Sequence, residues 1–292
     1  MANAIELFKT YIPLIDEVYK LGSTTNMLDS NENLVKMAAN GKEFLIPKYT
    51  TEGLGKYDRN GKGYPKGKVT LSYETKAPNF DRGTSFGVED QDNVETTGLA
   101  FGALAGTFMR EQVIPEVDAF RYATYCANAG FKEEGQLTTG EEALAAIRKI
   151  MTQMDDNEVP KEGRVLRITS SILDMIQHLE TYKRTVVMDR FASIMTVPSS
   201  RFYSAIDQYD GFSDGDNKFG FAKATAGADL AFEIIHPSAI IQANKSVITK
   251  VFTPQENQND DNWLFYYHNY GICEALDNKK NGIGAYVTKI GG

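Results

Sequence analysis

The chain has 292 residues, of which 42% are hydrophobic, 11% aromatic and 24% charged. This composition is that of a folded protein, and the length is close to the upper limit for one hydrophobic core. Its 31 basic and 39 acidic side chains give a formal net charge of −8, which argues against tight, sequence-independent binding of nucleic acid. The sequence has no run of roughly 20 apolar residues and no signal peptide, so we expect assembly in the cytoplasm without a membrane.

The N-terminal segment predicts an amphipathic helix over residues 3–20. Its apolar residues recur at intervals of three or four and comprise Ile5, Phe8, Ile12, Ile15 and Tyr19. Pro13 must kink or split this helix, which either docks on its own core or packs as an arm on a neighbouring subunit. The polar segment 22–40 predicts a loop that ends in a short helical stretch at about 34–39.

From residue 43 to about 88 the hydrophobic pattern changes to a period of two, which predicts β-strands. The alternating apolar residues are Phe44 and Ile46, then Val69, Leu71 and Tyr73, and then Phe86 and Val88. Between the first two runs lies the glycine-rich segment TEGLGKYDRNGKGYPKGK. We therefore predict a long antiparallel hairpin with an exposed tip, which needs a covering surface because an isolated hairpin is marginal in water.

The tip of this hairpin is basic. Its cationic residues are Lys56, Arg59, Lys62, Lys66 and Lys68, opposed by Asp58. Three functions fit: contact with an acidic surface of another subunit, a solvated tip, and contact with nucleic acid through the interleaved Tyr57 and Tyr64. We favour the subunit interface, and its candidate acidic partners are Glu89, Asp90, Asp92 and Glu95.

The longest predicted helix spans about residues 94–129. Phe101, Leu104 and Phe108 fall on one stripe, and a second face of small residues favours close packing against a sheet. Pro115 should either kink this helix or begin a second one.

Beyond residue 137 the predicted helices and strands are mixed, so the fold class is α+β. Thr139 and Glu142 form a capping-box pattern before a helix that runs to about residue 155. Further helices are predicted over 170–179 and from Pro237 to about residue 243. Strands are predicted over 164–169, 184–191, 195–198, 231–236, 247–252 and 263–276.

The sequence contains no catalytic or cofactor motif: no glycine-rich phosphate loop, no H-E-x-x-H and no nucleophile elbow. His178, His236 and His268 are far apart, which favours a structural role for each. Cys126 and Cys273 have no CxxC spacing and are predicted to be buried thiols. We predict no catalytic, cofactor or metal site. The alternatives are a hydrolase or transferase with dispersed catalytic residues and, less favoured, a small-ligand binding module.

Four longer stretches carry a further pattern. They are residues 80–123, with R-x-x-V-I-P-E-x-D-A-x-R from Arg110 to Arg121; VMDRFASIMTVPSSRF at 187–202; FEIIHPSAIIQANK at 232–245; and WLFYYHNYGICEALDNKKNGIGAYV at 263–287. Together they resemble the major capsid proteins of tailed double-stranded DNA bacteriophages, which have the Hong Kong 97 fold. Their order and spacing agree with that family over most of residues 80–288.

The resemblance implies an α+β, Hong Kong 97-type capsid fold with four parts. An N-terminal arm occupies residues 1–41, and an extended β-hairpin loop occupies 42–90. A peripheral domain comprises 91–136 and about 266–292, and a mixed α/β axial domain comprises 137–265. Phe101, Leu104, Phe108 and Pro115 then lie on the long spine helix of the peripheral domain.

The resemblance also implies a function: self-assembly as hexamers and pentamers into an icosahedral shell that encloses phage DNA without sequence-specific binding. It places the protein in the virion capsid, assembled in the bacterial host cytoplasm. A portal, decoration proteins and a separate scaffolding protein are the implied partners, the last because the chain starts at the arm. An encapsulin-like shell of a cellular nanocompartment is the alternative with the same fold.

Some relatives form Lys–Asn cross-links between subunits. Lys56, Lys62, Lys66 and Lys68 are available here, as are Asn278 and Asn281. Nothing in the sequence fixes their geometry, and we assign no catalysis to them.

Overall fold

The computed structural model describes residues 22–30, 36–37, 43–57, 59, 63–89, 105–212, 218–257 and 262–289. The predicted helix over residues 3–20 lies outside them. The strands are β1 (Lys36–Met37), β2 (Phe44–Thr51), β3 (Val69–Lys76), β4 (Phe80–Glu89), β5 (Phe131–Gly135), β6 (Val165–Thr169), β7 (Ser193–Val197), β8 (Ile206–Gln208), β9 (Phe221–Lys223), β10 (Asp229–Ile235), β11 (Ile240–Phe252), β12 (Asn262–Ala275) and β13 (Ile283–Thr288). The helices are α1 (Ile114–Ala127), α2 (Gly140–Asp156), α3 (Ser170–Gln177) and α4 (Thr181–Met188).

The predicted hairpin is confirmed. Strands β2 and β3 pair antiparallel from Phe44 opposite Lys76 to Thr51 opposite Val69, and β1 adds to the other edge of β2. The helical stretch predicted at 34–39 is wrong at residues 36–37, which form β1. Their backbone hydrogen-bonds to β2, and such pairing with a neighbouring strand overrides a weak local helix preference.

A three-stranded sheet follows the hairpin, in the order β11-β12-β4. One of its faces packs against the helical segment 105–127 through a buried cluster of Phe80, Met109, Val113, Val117, Phe265 and Tyr267. The helix predicted from Pro237 to about 243 is wrong beyond a single 3₁₀ turn, Pro237–Ala239. Strand β11 begins at Ile240 because this segment pairs along its length with β12.

The spine helix changes its geometry just before Pro115. Residues Met109–Val113 form a π-helical turn that runs directly into α1, so that Pro115 lies in the first turn of α1. Proline is tolerated there because the π-helical turn, in which the Ile114 N–H bonds to the Met109 carbonyl, already departs from the i→i−4 pattern that a proline interrupts. The predicted discontinuity at Pro115 is a change of helix type within one continuous helical segment.

A five-stranded mixed sheet has the order β5-β13-β10-β6-β7. Helices α2, α3 and α4 contribute to the hydrophobic cluster on one face, and α1 contributes to the cluster on the other. The strand predicted over 184–191 is wrong, because α4 occupies Thr181–Met188 and buries Val187 in the first of these clusters. The predicted capping box of α2 is confirmed: Thr139 Oγ1 accepts from the Glu142 N–H at 3.2 Å, and Glu142 Oε2 accepts from the Thr139 N–H at 3.1 Å.

Near the C-terminus, strand pairing joins segments on either side of the predicted domain boundary, and the division into domains remains a prediction. Strand β13, which lies in the predicted peripheral domain, pairs with β10 and β5 in the five-stranded sheet. Strand β11, which lies in the predicted axial domain, pairs with β12 across the predicted boundary at 265/266. Strand pairing joins segments that are distant in sequence, and composition shifts along the chain do not report it. Within the described ranges, no helix is both long and apolar enough to span a membrane.

Candidate interaction surfaces

One face of the β2–β3 hairpin arm is apolar and exposed. Val69, Leu71 and Tyr73 alternate along β3, and 69%, 49% and 57% of their respective surfaces are accessible. Alternate residues of a strand point to the same side, so these three side chains form one row, which we call the hairpin face. A contiguous row of exposed apolar residues marks a contact surface.

The tip of the arm, residues 52–68, is held together by contacts between its two sides. The rings of Tyr57 and Tyr64 have their centroids 4.8 Å apart. Glu52 Oε2 accepts from the Lys68 N–H at 3.0 Å, and the Glu52 N–H donates to the Lys68 carbonyl at 3.2 Å. Leu54 is fully exposed on this tip, at 107% relative accessibility.

The predicted cations of the tip that the structure describes are exposed: Lys56, Arg59, Lys66 and Lys68. Lys62 lies outside the described residues, as do Asp90, Asp92, Glu95, Phe101 and Leu104. Glu89 ends β4, where its backbone is paired with Asn262. Among the residues that the structure describes, no ion pair links the tip to the acidic candidates, so the interface remains a prediction.

The three-stranded sheet has a second, exposed face, which we call the outer face. It presents, in directly opposite pairs, Tyr266 with Ser85, His268 with Gly83, and Tyr270 with Asp81. The intervening Phe265 and Tyr267 are buried against the helix. His268 Nε2 lies 2.6 Å from Asp81 Oδ1, and the His268 ring stacks on Tyr270 with a centroid distance of 6.4 Å. The outer face is therefore an aromatic strand beside a track of small residues.

Phe108, the one predicted residue of the spine stripe within the described ranges, packs on the inner face of this sheet. Its ring centroid lies 5.4 Å from that of Phe86, 6.1 Å from that of Phe265 and 5.7 Å from that of Tyr267. These edge-to-face contacts fix the helix on the sheet. On the opposite side of β4, Asp81, Gly83 and Ser85 are exposed.

A buried polar network ties residues 23–30, which we call the strap, to α1. The Asp118 carboxylate is 0% exposed. It accepts hydrogen bonds from the hydroxyls of Ser23 at 2.8 Å, Thr24 at 2.9 Å and Thr25 at 2.6 Å. Arg201 Nη1 lies 3.2 Å from Asp118 Oδ2, the oxygen that also accepts from Thr24. Because hydrogen bonds and a cation surround it, this buried charge is compensated.

The same network reaches β11. Arg121 Nη1 donates to Thr25 Oγ1 at 2.9 Å, and its Nη2 lies 3.4 Å from Asp29 Oδ1. Gln242 Nε2 donates to the Thr25 carbonyl at 3.0 Å and to Asp29 Oδ1 at 2.5 Å, and the Tyr125 hydroxyl donates to Gln242 Oε1. Sequence reasoning classed residues 23–30 as loop and missed this network, because its partners are far apart in the chain.

The prediction of two buried cysteines is confirmed, and of the three histidines His236 is fixed by contacts with its surroundings. His236 is held by Ser238 Oγ, 2.8 Å from Nδ1, and by the Glu162 carbonyl, 3.0 Å from Nε2; burial lowers its pKa. Cys126 and Cys273 are free and buried, and burial raises the pKa of each thiol to about 12. Both thiols are therefore poor nucleophiles at neutral pH.

A small cavity of about 200 Å³ lies where β4, the spine helix and the β8–β9 hairpin meet. Glu116 Oε1 accepts there from Arg82 Nε at 2.6 Å and from Gln208 Nε2 at 3.0 Å. This cluster links the β8–β9 hairpin to the helix and pairs the carboxylate with the Arg82 guanidinium. In the part of the chain that the structure describes, no three His, Cys, Asp or Glu side chains are grouped to hold a metal ion.

No family model matches the sequence, and no curated protein matches it. The similarity to known proteins is structural. A structure from Mycobacterium phage Adephagia aligns with a TM-score of 0.58 at 11% identity, over 93% of this chain and 91% of the other. The capsid structure of the Cyanophage P-SCSP1u aligns at 0.55 and 14% identity, over 90% and 87%. A virus-like particle from Pyrococcus furiosus aligns at 0.50 and 11% identity, over 97% and 100%. The chain therefore has the α+β capsid-protein fold of the Hong Kong 97 type.

Proposed function

We propose that this protein is a structural major capsid protein. Its subunits self-assemble as hexamers and pentamers into an icosahedral shell that encloses phage genomic DNA. The observation that carries the proposal is the hairpin arm, whose Val69, Leu71 and Tyr73 are exposed in a row outside every hydrophobic cluster described above. An exposed apolar strand is an aggregation hazard in a free monomer. A subunit contact repeated by symmetry removes that hazard.

The outer face of a neighbouring copy is the surface that we propose for the arm. Both surfaces belong to β-sheets, and stacked sheets pack about 10 Å apart through their side chains. On the outer face Ser85 lies directly opposite Tyr266, and Gly83 lies directly opposite His268. The small side chain of Ser85 leaves room beside Tyr266 for the bulky hairpin face. Because the two surfaces differ, the contact is head to tail, and rotation about a capsomer axis closes it into a ring.

Charged residues at the tip would orient the arm on the neighbouring subunit. The basic tip, with Lys56 and Arg59, fits the end of β4, where Glu89 belongs to the acidic segment GVEDQDNVE. Rim charges of this kind contribute more to association rate and orientation than to affinity. We accordingly retain Glu89, Asp90, Asp92 and Glu95 as the proposed partners of the tip.

The strands support a revised assignment of the two compact domains. We propose a peripheral domain made of β4, the spine helix, β11 and β12, and an axial domain made of the five-stranded sheet with α2, α3 and α4. The strap then joins the N-terminal arm to the peripheral domain through Asp118.

The remaining roles follow from the shell. We place the protein in the virion, after assembly in the bacterial host cytoplasm, with a scaffolding protein, a portal and decoration proteins as partners. A formal charge of −8 suits a shell that encloses DNA without binding it tightly. The role is structural and needs no catalytic group.

A nanocompartment shell is the second candidate. The alignment with the Pyrococcus furiosus virus-like particle over 97% of this chain and 100% of the other favours it. The contents of purified particles separate the two candidates, since a capsid encloses DNA and a nanocompartment encloses a cargo protein.

The test is electron microscopy with light scattering on the full-length protein, expressed alone and with its genomic neighbours. We expect closed shells or capsomer rings. A triple variant, V69S/L71S/Y73S, should remain folded and fail to form shells. The matched control T70A/S72A alters the opposite side of the same strand and should assemble normally. Shells from the triple variant at wild-type yield would exclude the hairpin face as the assembly contact.

A further inference from the structure

Two ionisable side chains are sealed between the five-stranded sheet and α1. Arg167 on β6 and Glu233 on β10 are both 0% exposed. The strand register places them directly opposite each other. Within the described structure, neither the three guanidinium nitrogens nor the two carboxyl oxygens have a hydrogen-bond partner. Buried ionisable groups are normally paired, so this juxtaposition requires an explanation.

The two residues belong to a row that crosses the sheet. Lys132 on β5 is opposite Ala285 on β13, Ala285 is opposite Glu233, and Glu233 is opposite Arg167. Directly opposite residues share one face of a sheet. Ala285 belongs to the hydrophobic cluster that contains Tyr122 of α1, so this row lies on the face that the spine helix covers.

The groups around Glu233 are a mixture of cations and neutral side chains. Lys132 and Arg167 favour its ionised form, and burial opposes that form more strongly, so the pKa of Glu233 lies well above its ordinary value of 4.5. From α1, Tyr122, Tyr125 and Cys126 face the same region and stay neutral, because burial raises the pKa of each. Arg167 is the cation directly opposite Glu233 in the strand register.

We propose that Glu233 is a buried proton switch that controls how the five-stranded sheet packs on the spine helix. With the proton bound, the carboxyl is neutral and can remain apart from Arg167, as described. Loss of the proton to solvent leaves a carboxylate that must turn to Arg167 and form an ion pair across β10 and β6. That pair needs a rearrangement of side chains beneath α1, since the two groups are not in hydrogen-bond contact in the present packing.

The sign of the effect follows from linkage. A carboxyl whose pKa is raised on folding binds a proton more tightly in the folded chain than in the unfolded one. Its contribution to stability is complete below the unfolded pKa of 4.5 and is lost as pH rises through the folded pKa. The packing of the five-stranded sheet on α1 should therefore be most stable under mildly acidic conditions.

The test is amide hydrogen exchange of β10 and α1 in the full-length protein, read by mass spectrometry between pH 5 and 8. Exchange reports this packing whether or not the subunits are assembled, so the result is independent of the proposed shell. At each pH, wild type is compared with Glu233→Gln, which is nearly isosteric and cannot titrate. We expect the protection ratio of wild type to variant to fall with rising pH, by up to about tenfold per pH unit.

The matched control is Glu134→Gln, an exposed glutamate of the same sheet, whose ratio to wild type should not change with pH. A constant ratio for Glu233→Gln, or an equal fall for Glu134→Gln, would overturn the proposal. If Glu233→Gln does not fold, the double variant R167M/E233L replaces both groups with apolar side chains, a change that buried ion pairs often tolerate. It should lose the pH dependence, and a wild-type profile from it would also overturn the proposal.

Discussion

Thr24 bonds twice to Asp118: its backbone N–H and its hydroxyl each donate to Asp118 Oδ2 at 2.9 Å. The hydroxyls of Ser23 and Thr25 donate to the other carboxylate oxygen at 2.8 and 2.6 Å. One buried carboxylate thus accepts hydrogen bonds from three consecutive residues of the strap. The strap also buries Leu28, and its polar contacts with this anion and with Gln242 hold the rest of it in place.

Replacement of Asp118 by Ala should strongly destabilise the fold. It leaves Arg201 and the strap hydroxyls without their acceptor, and removal of one partner from a buried charged cluster costs about 3–5 kcal/mol. Thr24→Val, which removes one hydroxyl and keeps the backbone bond, should cost about 1–3 kcal/mol. Chemical unfolding monitored by circular dichroism measures both. A loss below about 0.5 kcal/mol for Asp118→Ala, the range of ordinary surface substitutions, would show that the network does not hold the strap.

The shape of the tip gives a second prediction. A Cβ at Gly55 would lie 2.6 Å from Pro65 Cγ, whereas a Cβ at Gly53 would meet nothing within 4 Å. Gly55→Val should therefore spread the two sides of the tip and reduce the yield of shells, with little change in the thermal stability of the subunit. Gly53→Ala is the control, and it should assemble like wild type in electron micrographs. Equal shell yields from both variants would mean that the shape of the tip is unimportant for assembly.

The charge of the tip predicts that the rate of shell assembly depends on salt concentration. If Arg59 and its neighbours steer the tip to an acidic surface, assembly followed by light scattering should slow about tenfold as salt is raised, because exposed charges are screened beyond about 8 Å at physiological ionic strength. Arg59→Glu should be slow at low salt as well. Lys161→Glu reverses an exposed charge on the α2–β6 connection and should leave the rate unchanged. A rate that is independent of salt and of Arg59 would favour the solvated-tip alternative.

His236 predicts a loss of stability in acid. Burial lowers its pKa below the ordinary 6.5, so the fold prefers the neutral ring, in which Nδ1 accepts from the Ser238 N–H at 3.3 Å. For a base with a lowered folded pKa, the stabilisation is complete above pH 6.5 and is lost as pH falls below it. The melting temperature of wild type should therefore fall relative to His236→Gln between pH 7 and 5. His178→Gln, at an exposed histidine, should follow wild type; parallel curves for wild type and His236→Gln would contradict the prediction.

The sequence predicted elements whose signal is local. The alternation Val69, Leu71, Tyr73 identified β3, and Thr139 with Glu142 identified the start of α2. The strand predicted over 184–191 is wrong, because a short apolar pair such as Val186 and Val187 fits both a strand and a helix. Packing of Val187 into the core decided the outcome.

The interaction surfaces were predictable only in part. Composition located the basic tip, and periodicity located the hairpin face, but a period of two does not tell which side of a strand a core will cover. The outer face and the Glu233–Arg167 pair depend on strand register, which brings together residues that are distant in sequence. No local pattern encodes that register when partners lie in different segments of the chain.

The two buried cysteines have a practical consequence. Because Cys126 and Cys273 are enclosed and protonated at neutral pH, thiol reagents should leave them unmodified while the protein is folded. Cysteines introduced at Leu71 on the hairpin face and at Ser85 on the outer face would then be the reactive pair. Disulfide trapping between subunits can be carried out in the native background, without first removing either thiol.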